Sequence, residues 1–339
     1  DKRYVRLAVE GYGGMNCASW LDRPLTVAGR AVVRTPAGVE GRLVYLDRDL
    51  LTIPSLAIHQ QRDVNRGHDY NAQKDMQPLY ALGGGPSLTA LLAEELGVDV
   101  GDILATDLVL CPRQAPVRIG PEGEFFQAPR IDDLGCAYAT LEGFLSAKGT
   151  ERFGQLYCLF DNEEVGSGTR QGAMSSFLPD VLTRIGEALG LSAQARRQAL
   201  AGSLLLSADN GHAVHPNFPE KADPANRVYP NGGVVIKYSA NQKYTTTGLT
   251  AGLFQAICQK AGVPVQVFAN RADEPGGSTL GNLSNMQASM HAVDVGLPQL
   301  AMHSSYETGG VRDVMCAIRA LTAFYERDLN INGAESVEL

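Results

Sequence analysis

The chain has 339 residues, 44% of them hydrophobic and 19% charged, with a formal net charge of −8. That length and apolar content suffice for full hydrophobic cores in two domains, and the acidic balance, without clustered Lys and Arg, argues against nucleic acid as a partner. No apolar run approaches the roughly 20 residues of a membrane-spanning helix, and the start has no signal-peptide pattern.

In chain order, short β-type segments come first, at 4–10, 25–34 and 41–47, punctuated by glycine and proline. They predict a small β-rich domain over residues 1–125. The polar stretch 60–77 predicts an exposed loop. From 126 to 339 strand and helix patterns alternate. The segment 133–144 predicts a helix with Leu134, Ala137, Tyr138, Leu141 and Phe144 on one apolar face. The run 155–161 (QLYCLFD) reads as a buried strand entering a glycine-rich turn, and 203–209 (SLLLSAD) has the same form. Helical spacing returns at 246–261 and 311–325, with a strand at 263–268 between them. A last apolar stretch, 297–302, ends at His303, ahead of the Thr308-Gly309-Gly310 turn. The six cysteines, Cys17, Cys111, Cys136, Cys158, Cys258 and Cys316, have no CxxC spacing. They read as buried thiols of a reducing compartment, and the cytoplasm is the expected location. There is no internal repeat and no low-complexity tract.

The chemistry gathers in Asp132-Asp133, in Asp161-Asn162-Glu163-Glu164, in Asp209 with His212 and His215, and in His303. Each group lies where an apolar run stops. In an α/β sheet, residues at the carboxyl ends of strands converge on one crevice. Any one such acid is ordinarily a helix cap or a surface residue; together they read as a dinuclear metal site. Zinc is held by His nitrogen and carboxylate oxygen, and two ions sharing a bridging carboxylate need about five ligands with an open position. Asp132, Glu164, Asp209 and His303 supply four, which leaves Glu163 as a general base.

The wording of the motifs adds to this. VEGYGGMNCASWLDRPLTVAGR (9–30), IPSLAIHQQRDVNRG (53–67), PRIDDL (129–134), FDNEEVGSGTRQGAMS (160–175), SADNGHAVHPNF (207–218), IKYSANQKYTT (236–246) and MHSSYETGG (302–310) resemble the aspartyl aminopeptidase family of metallopeptidases, nearly end to end. The resemblance implies an α/β zinc-peptidase fold of the phosphorylase/hydrolase-like kind, with a mixed central sheet flanked by helices. A smaller β-rich dimerisation or lid domain, residues 1–125, would be inserted into it, and 126–339 would form most of the catalytic domain. It implies that Asp132 bridges two Zn2+ ions, that Glu164 and His303 bind one and Asp209 the other, and that Glu163 is the general base. His212 matches a histidine supporting the tetrahedral intermediate, and Lys237 a lysine that meets an acidic side chain on the residue removed. His59 matches a residue reaching a neighbouring subunit's site. The peptide after the bridging Asp is held cis in this family.

The implied reaction removes an N-terminal residue, Asp or Glu by preference, from short peptides through attack of a metal-activated water. The implied assembly is a dodecamer built from dimers. The family carries a His-x-Asp segment ahead of the first motif found here, giving the second metal a histidine and orienting it, yet no histidine precedes His59. The expectation is that an N-terminal segment is omitted, because Asp1-Lys2-Arg3 leads directly into a strand with no plausible translation start. Two alternatives stay open: an aminopeptidase of broad or neutral specificity, and a non-catalytic relative or truncated product lacking one metal ligand.

Overall fold

The structure is a computed structural model that describes residues 3–150, 152–333 and 335–338. The chain divides into two compact units, Asp1–Ala115 with Ser304–Tyr306, and Pro116–His303 with Glu307–Leu339. Strands Val117–Ile119 and Phe125–Ala128 therefore lie in the second unit, so the division falls near residue 115 rather than 125.

The first unit is built on a three-stranded antiparallel sheet ordered Gly38–Tyr45, Leu25–Thr35, Ile103–Pro112. Strand residues alternate between faces, and Leu25, Val27, Ala31 and Val33 on one face are all at most 1% exposed. Leu46, Leu51, Ile53, Met76, Leu91 and Leu92 complete this core. Helix Leu88–Leu96 starts at Ser87, whose Oγ accepts the Ala90 N–H at 3.1 Å, and stops at Gly97 in the left-handed conformation. Residues 60–77 are turns, a 3-10 segment and the one-turn helix Ala72–Asp75, mostly exposed.

The second unit carries a four-stranded mixed sheet ordered Val265–Ala269, Val234–Tyr238, His291–Gly296, Leu204–Ala208. The two outer pairs are parallel and the central pair antiparallel. Val234, Ile236, Val293 and Val295 pack with Phe254 and Cys258 of helix Gly248–Lys260 and with Ala317, Ala320 and Leu321 of helix Val311–Tyr325. The expected mixed sheet flanked by helices is present. A second sheet of five short strands runs Val117–Ile119, Phe125–Ala128, Glu307–Gly310, Pro298–Leu300, Gly211–His212.

Two further sequence expectations differ from what is found. Helix Ile131–Ser146 forms, but its apolar stripe faces out: Leu134 is 59% exposed, Tyr138 54% and Leu141 37%. Its buried face is made of Cys136, Ala139, Thr140 and Gly143. A Cβ on Gly143 would lie 2.7 Å from Leu321 Cβ, so the small residues let helix Val311–Tyr325 approach closely. Residues 155–160 form no strand; Leu156 is 40% and Leu159 63% exposed. A continuous apolar run becomes a strand only when a neighbour pairs with it, and none does so among the described residues. All six cysteines are reduced thiols. Among the described residues no helix is long and apolar enough to cross a membrane.

Candidate metal centre

The site lies in the second unit, where two neighbouring segments leave the four-stranded sheet together and enter the five-stranded one. One runs from Leu204–Ala208 through Asp209 to Gly211–His212; the other runs from His291–Gly296 through Pro298–Leu300 to His303. They stay paired across the crossing by Asp209 N–H to Val295 O, Gly211 N–H to Leu297 O and Ala213 N–H to Gln299 O, at 2.8–2.9 Å. Gly296 makes this possible, since a Cβ there would collide with the Asp209 carbonyl oxygen. Asn210 locks the crossing. Its Nδ2 donates to Ile131 O and Gln299 Oε1, both at 2.9 Å, and its Oδ1 accepts from Cys136 Sγ–H at 3.0 Å and from Leu297 N–H at 3.3 Å. Three segments that carry candidate ligands are thereby tied to one buried side chain.

Asp132 and Asp133 enter at the start of helix Ile131–Ser146, after Arg130 in the left-handed conformation (φ 57°), and the peptide between them is cis. Glu163 and Glu164 open a 3-10 turn, Glu163–Val165, behind left-handed Asn162. His303 is itself left-handed (φ 61°). Its Nε2 lies 3.2 Å from Glu164 Oε2 and 3.4 Å from Asp132 Oδ2. Ligand atoms of Asp132, Glu164 and His303 fall within 4.8 Å of one another, and so do those of Asp132, Asp133 and Asp209. Asp132 belongs to both sets.

The electrostatics are those of crowded anions. Burial, then Asp209, Glu164 and Asp132, push Glu163 up to about 7. Burial moves Glu164 up as well, and Asp209 reaches about 6 against the pull of Lys237. Asp133 is raised well above the carboxylate range by burial, Asp209 and Asp132. The hydrogen bond to Asp132 is the main reason that His303 rises to about 9. Asp132 Oδ1 and Asp133 Oδ1 are buried without a hydrogen-bond partner. Orphaned buried carboxylate oxygens are costly, and a bound cation relieves both the orphaning and the repulsion. Ligands about 2.0–2.1 Å from a tetrahedral zinc stand about 3.3 Å apart, close to the two His303 separations. The donor set fits zinc.

The other expected residues are placed as follows. Lys237 is 1% exposed on strand Val234–Tyr238; its Nζ donates to Asp209 Oδ2 at 3.3 Å and Asn210 O at 3.1 Å, 5.1 Å from the Tyr244 ring centre. Burial opposes its charge, but Asp209 and Asp294 more than offset that and hold its pKa above the lysine range. His212 keeps an exposed edge on the two-residue strand Gly211–His212, while desolvation by the surrounding site lowers its pKa and favours the neutral imidazole. His215 is turned to its own loop, with Nδ1 accepting from Asn217 N–H and its ring against Phe218. His59 sits on an exposed turn of the first unit. Asp133 and Glu307 were not assigned roles from the sequence. The Asp132-Asp133 doublet was the only signal for the first, and nothing local marked Glu307.

Comparison with known proteins identifies the family. The family model described as Aminopeptidase I zinc metalloprotease (M18) matches residues 1–325. A protein named Probable M18 family aminopeptidase 2 from Clostridium acetobutylicum is 41% identical over 332 residues, covering 96% of this chain and 76% of its own. The aspartyl aminopeptidase of Dictyostelium discoideum is 36% identical over 370 residues, with 96% and 76% covered. Among solved structures, a chain of the Ape4 and Nbr1 complex superposes with a TM-score of 0.89 at 34% identity, with 95% of this chain and 66% of that one covered. The mApe1 dodecamer of S. cerevisiae gives 0.79 at 27%, with 95% and 73% covered. The chain thus spans about three quarters of the length of these curated relatives. Its match over residues 1–325 places it plainly: the chain belongs to the M18 family of zinc metallo-aminopeptidases, hydrolases that act on peptides.

Proposed function

We propose that the site holds two zinc ions and removes N-terminal residues, acidic ones by preference, from short peptides. The observation that carries this reading is the pair of three-residue ligand sets sharing Asp132. Asp132 would be shared between the two ions, Glu164 and His303 would hold one and Asp209 the other, with Asp133 a further member of the second set. Zinc supplies Lewis acidity for a scissile carbonyl and an attacking water.

The remaining work falls to the chain. Glu163, with its pKa pushed up to about 7, accepts a proton from the attacking water and returns it to the leaving amine; near-neutral acidity suits both directions. His212, whose pKa is lowered by desolvation in the site, donates a hydrogen bond to the tetrahedral intermediate. His59 lies on an exposed turn and serves the site of a neighbouring copy in a homo-oligomer, a reading supported by likeness to the mApe1 dodecamer. The scattered thiols support a cytoplasmic location.

Acidic preference is supported by the likeness to an aspartyl aminopeptidase and by Lys237, which keeps one ammonium hydrogen beyond those given to Asp209 and Asn210. A second reading of Lys237 rests on the same geometry: it is the counter-charge of Asp209 and does not meet substrate.

Zinc content per chain, together with hydrolysis of Asp, Glu, Leu and Lys chromogenic substrates, tests the proposal. Two zinc ions with fastest turnover of Asp and Glu substrates is the expected result. Glu163→Gln should keep the zinc and lose about 10²- to 10⁴-fold in rate. Lys237→Ala should weaken acidic substrates selectively; equal loss on Leu substrates assigns Lys237 to Asp209 alone. Absence of bound zinc and of hydrolysis would overturn the enzyme reading.

A further inference from the structure

We infer that Glu307 is a positioning residue that sets the spacing of Asp132 and His303 by holding the backbone of both. The inference rests on the metal-site reading above. Glu307 is 2% exposed, yet among the described residues no basic side chain is bonded to it. Its two oxygens are divided between two distant segments: Oε2 accepts the Asp132 N–H at 2.9 Å, and Oε1 accepts the His303 N–H at 2.7 Å. One carboxylate thereby joins the main chains of the residue shared by both ligand sets and of the only histidine in them.

The local backbone shows why a clamp is needed. Ala301 and His303 are left-handed, with φ of 55° and 61°, and Arg130, two residues before Asp132, is left-handed at 57°. Non-glycine residues hold this conformation only where their surroundings enforce it. Glu307 is well anchored for that task. It begins the strand Glu307–Gly310, paired antiparallel with Phe125–Ala128, with Glu307 opposite Ala128, and this second strand leads through Arg130 to Asp132. Both sides of the clamp therefore hang from one strand pair, and the 3.4 Å between Asp132 Oδ2 and His303 Nε2 is set by bonds outside the ligands themselves. Groups that orient metal ligands in this way change affinity when removed, although they never touch the ion.

The test is equilibrium zinc affinity by chelator competition, with the visible spectrum of the Co2+-loaded protein, for wild type, Glu307→Gln and Glu307→Ala. Gln keeps the shape and one acceptor but turns an amide N–H toward the other backbone donor; Ala removes both acceptors. The expected result is about 10- to 100-fold weaker zinc binding and an altered Co2+ spectrum, worse for Ala, in variants whose circular dichroism is that of the wild type. Wild-type affinity and spectrum in both folded variants would overturn the proposal, since a merely structural role lowers stability without moving either. Should neither variant fold, amide exchange in the wild type decides. The Asp132 and His303 N–H groups should both exchange slowly, and fast exchange at either overturns the clamp. A wild-type protein that binds no zinc defeats the two-metal reading instead, while the exchange measurement still judges Glu307.

Discussion

The second unit buries carboxylates in two kinds of place, and their acidities alone do not distinguish them. Asp313, 1% exposed in helix Val311–Tyr325, and Asp209 in the ligand cluster are both pushed up to about 6, chiefly by burial. Hydrogen-bond accounting separates the two. Asp313 accepts Asn231 N–H at 2.6 Å and Gly233 N–H at 2.9 Å. Asp294, fully buried, accepts from Thr245 N–H, Thr245 Oγ1–H and Thr279 Oγ1–H. At the ligand cluster, Asp132 Oδ1 and Asp133 Oδ1 are buried with no donor. Burial of an acid is compatible with a purely structural role; burial without donors calls for a cation.

Substitution of Asp132, which stands in both candidate ligand sets, is the strongest way to break the comparison. Asp132→Asn should leave less than one zinc per chain and lower peptide hydrolysis by about a thousandfold or more, as read by metal analysis and rate. Retention of two zinc ions would mean that the orphaned oxygens are not what the metals need.

A paired stability measurement sharpens it. Asp313→Ala strands two backbone donors and should cost about 2–4 kcal/mol in urea unfolding with zinc content unchanged. Asp133→Asn in chelator-treated protein should cost little, because burial, Asp209 and Asp132 already hold this carboxyl in its neutral form and its Oδ1 has no partner to lose, yet it should weaken zinc binding. Equal destabilisation by the two substitutions would erase the distinction.

The pH dependence follows with its sign. Glu163 and Glu307 are raised from 4.5 to about 7, and Asp209 and Asp313 from 3.8 to about 6. Carboxyl groups raised on folding contribute stability that is complete below their unfolded values and is lost as pH rises through the folded ones. His303, raised from 6.5 to about 9, acts in the same direction at higher pH. The melting temperature of metal-free protein should therefore fall between about pH 4 and 7 and keep falling towards 9. Zinc should restore it strongly at pH 7.5 and weakly at pH 5. A metal-free protein that gains stability over this window would contradict the assignment of uncompensated anions.

The smallest effect concerns the satisfied carboxylate. Thr279→Val removes one of the hydroxyl donors to Asp294 and should cost about 1 kcal/mol, with zinc affinity unmoved. A change in metal affinity would join Asp294 to the cluster.

Much of this was legible in the chain. Periodicity alone placed the helix at Val311–Tyr325 and the strand at Leu25–Thr35 almost to the residue, and the ligand types at the ends of apolar runs pointed to a metal. The failures were non-local. The apolar stripe of helix Ile131–Ser146 lies outward because Gly143 allows Leu321 close on the other face, and residues 155–160 stay irregular because a strand exists only through its partner.

By itself, the amino-acid sequence determined the local periods, the helix caps such as Thr247, and the residues that can bind zinc; all of these depend on neighbours a few positions away. Only the tertiary structure decided that Asp132 stands in both ligand sets, that Lys237 turns inward to Asp209, and that Glu307 accepts from two segments far apart in the chain. Whether a buried polar atom is satisfied depends on groups brought to it from elsewhere in the fold, and no local pattern in a sequence encodes their arrival.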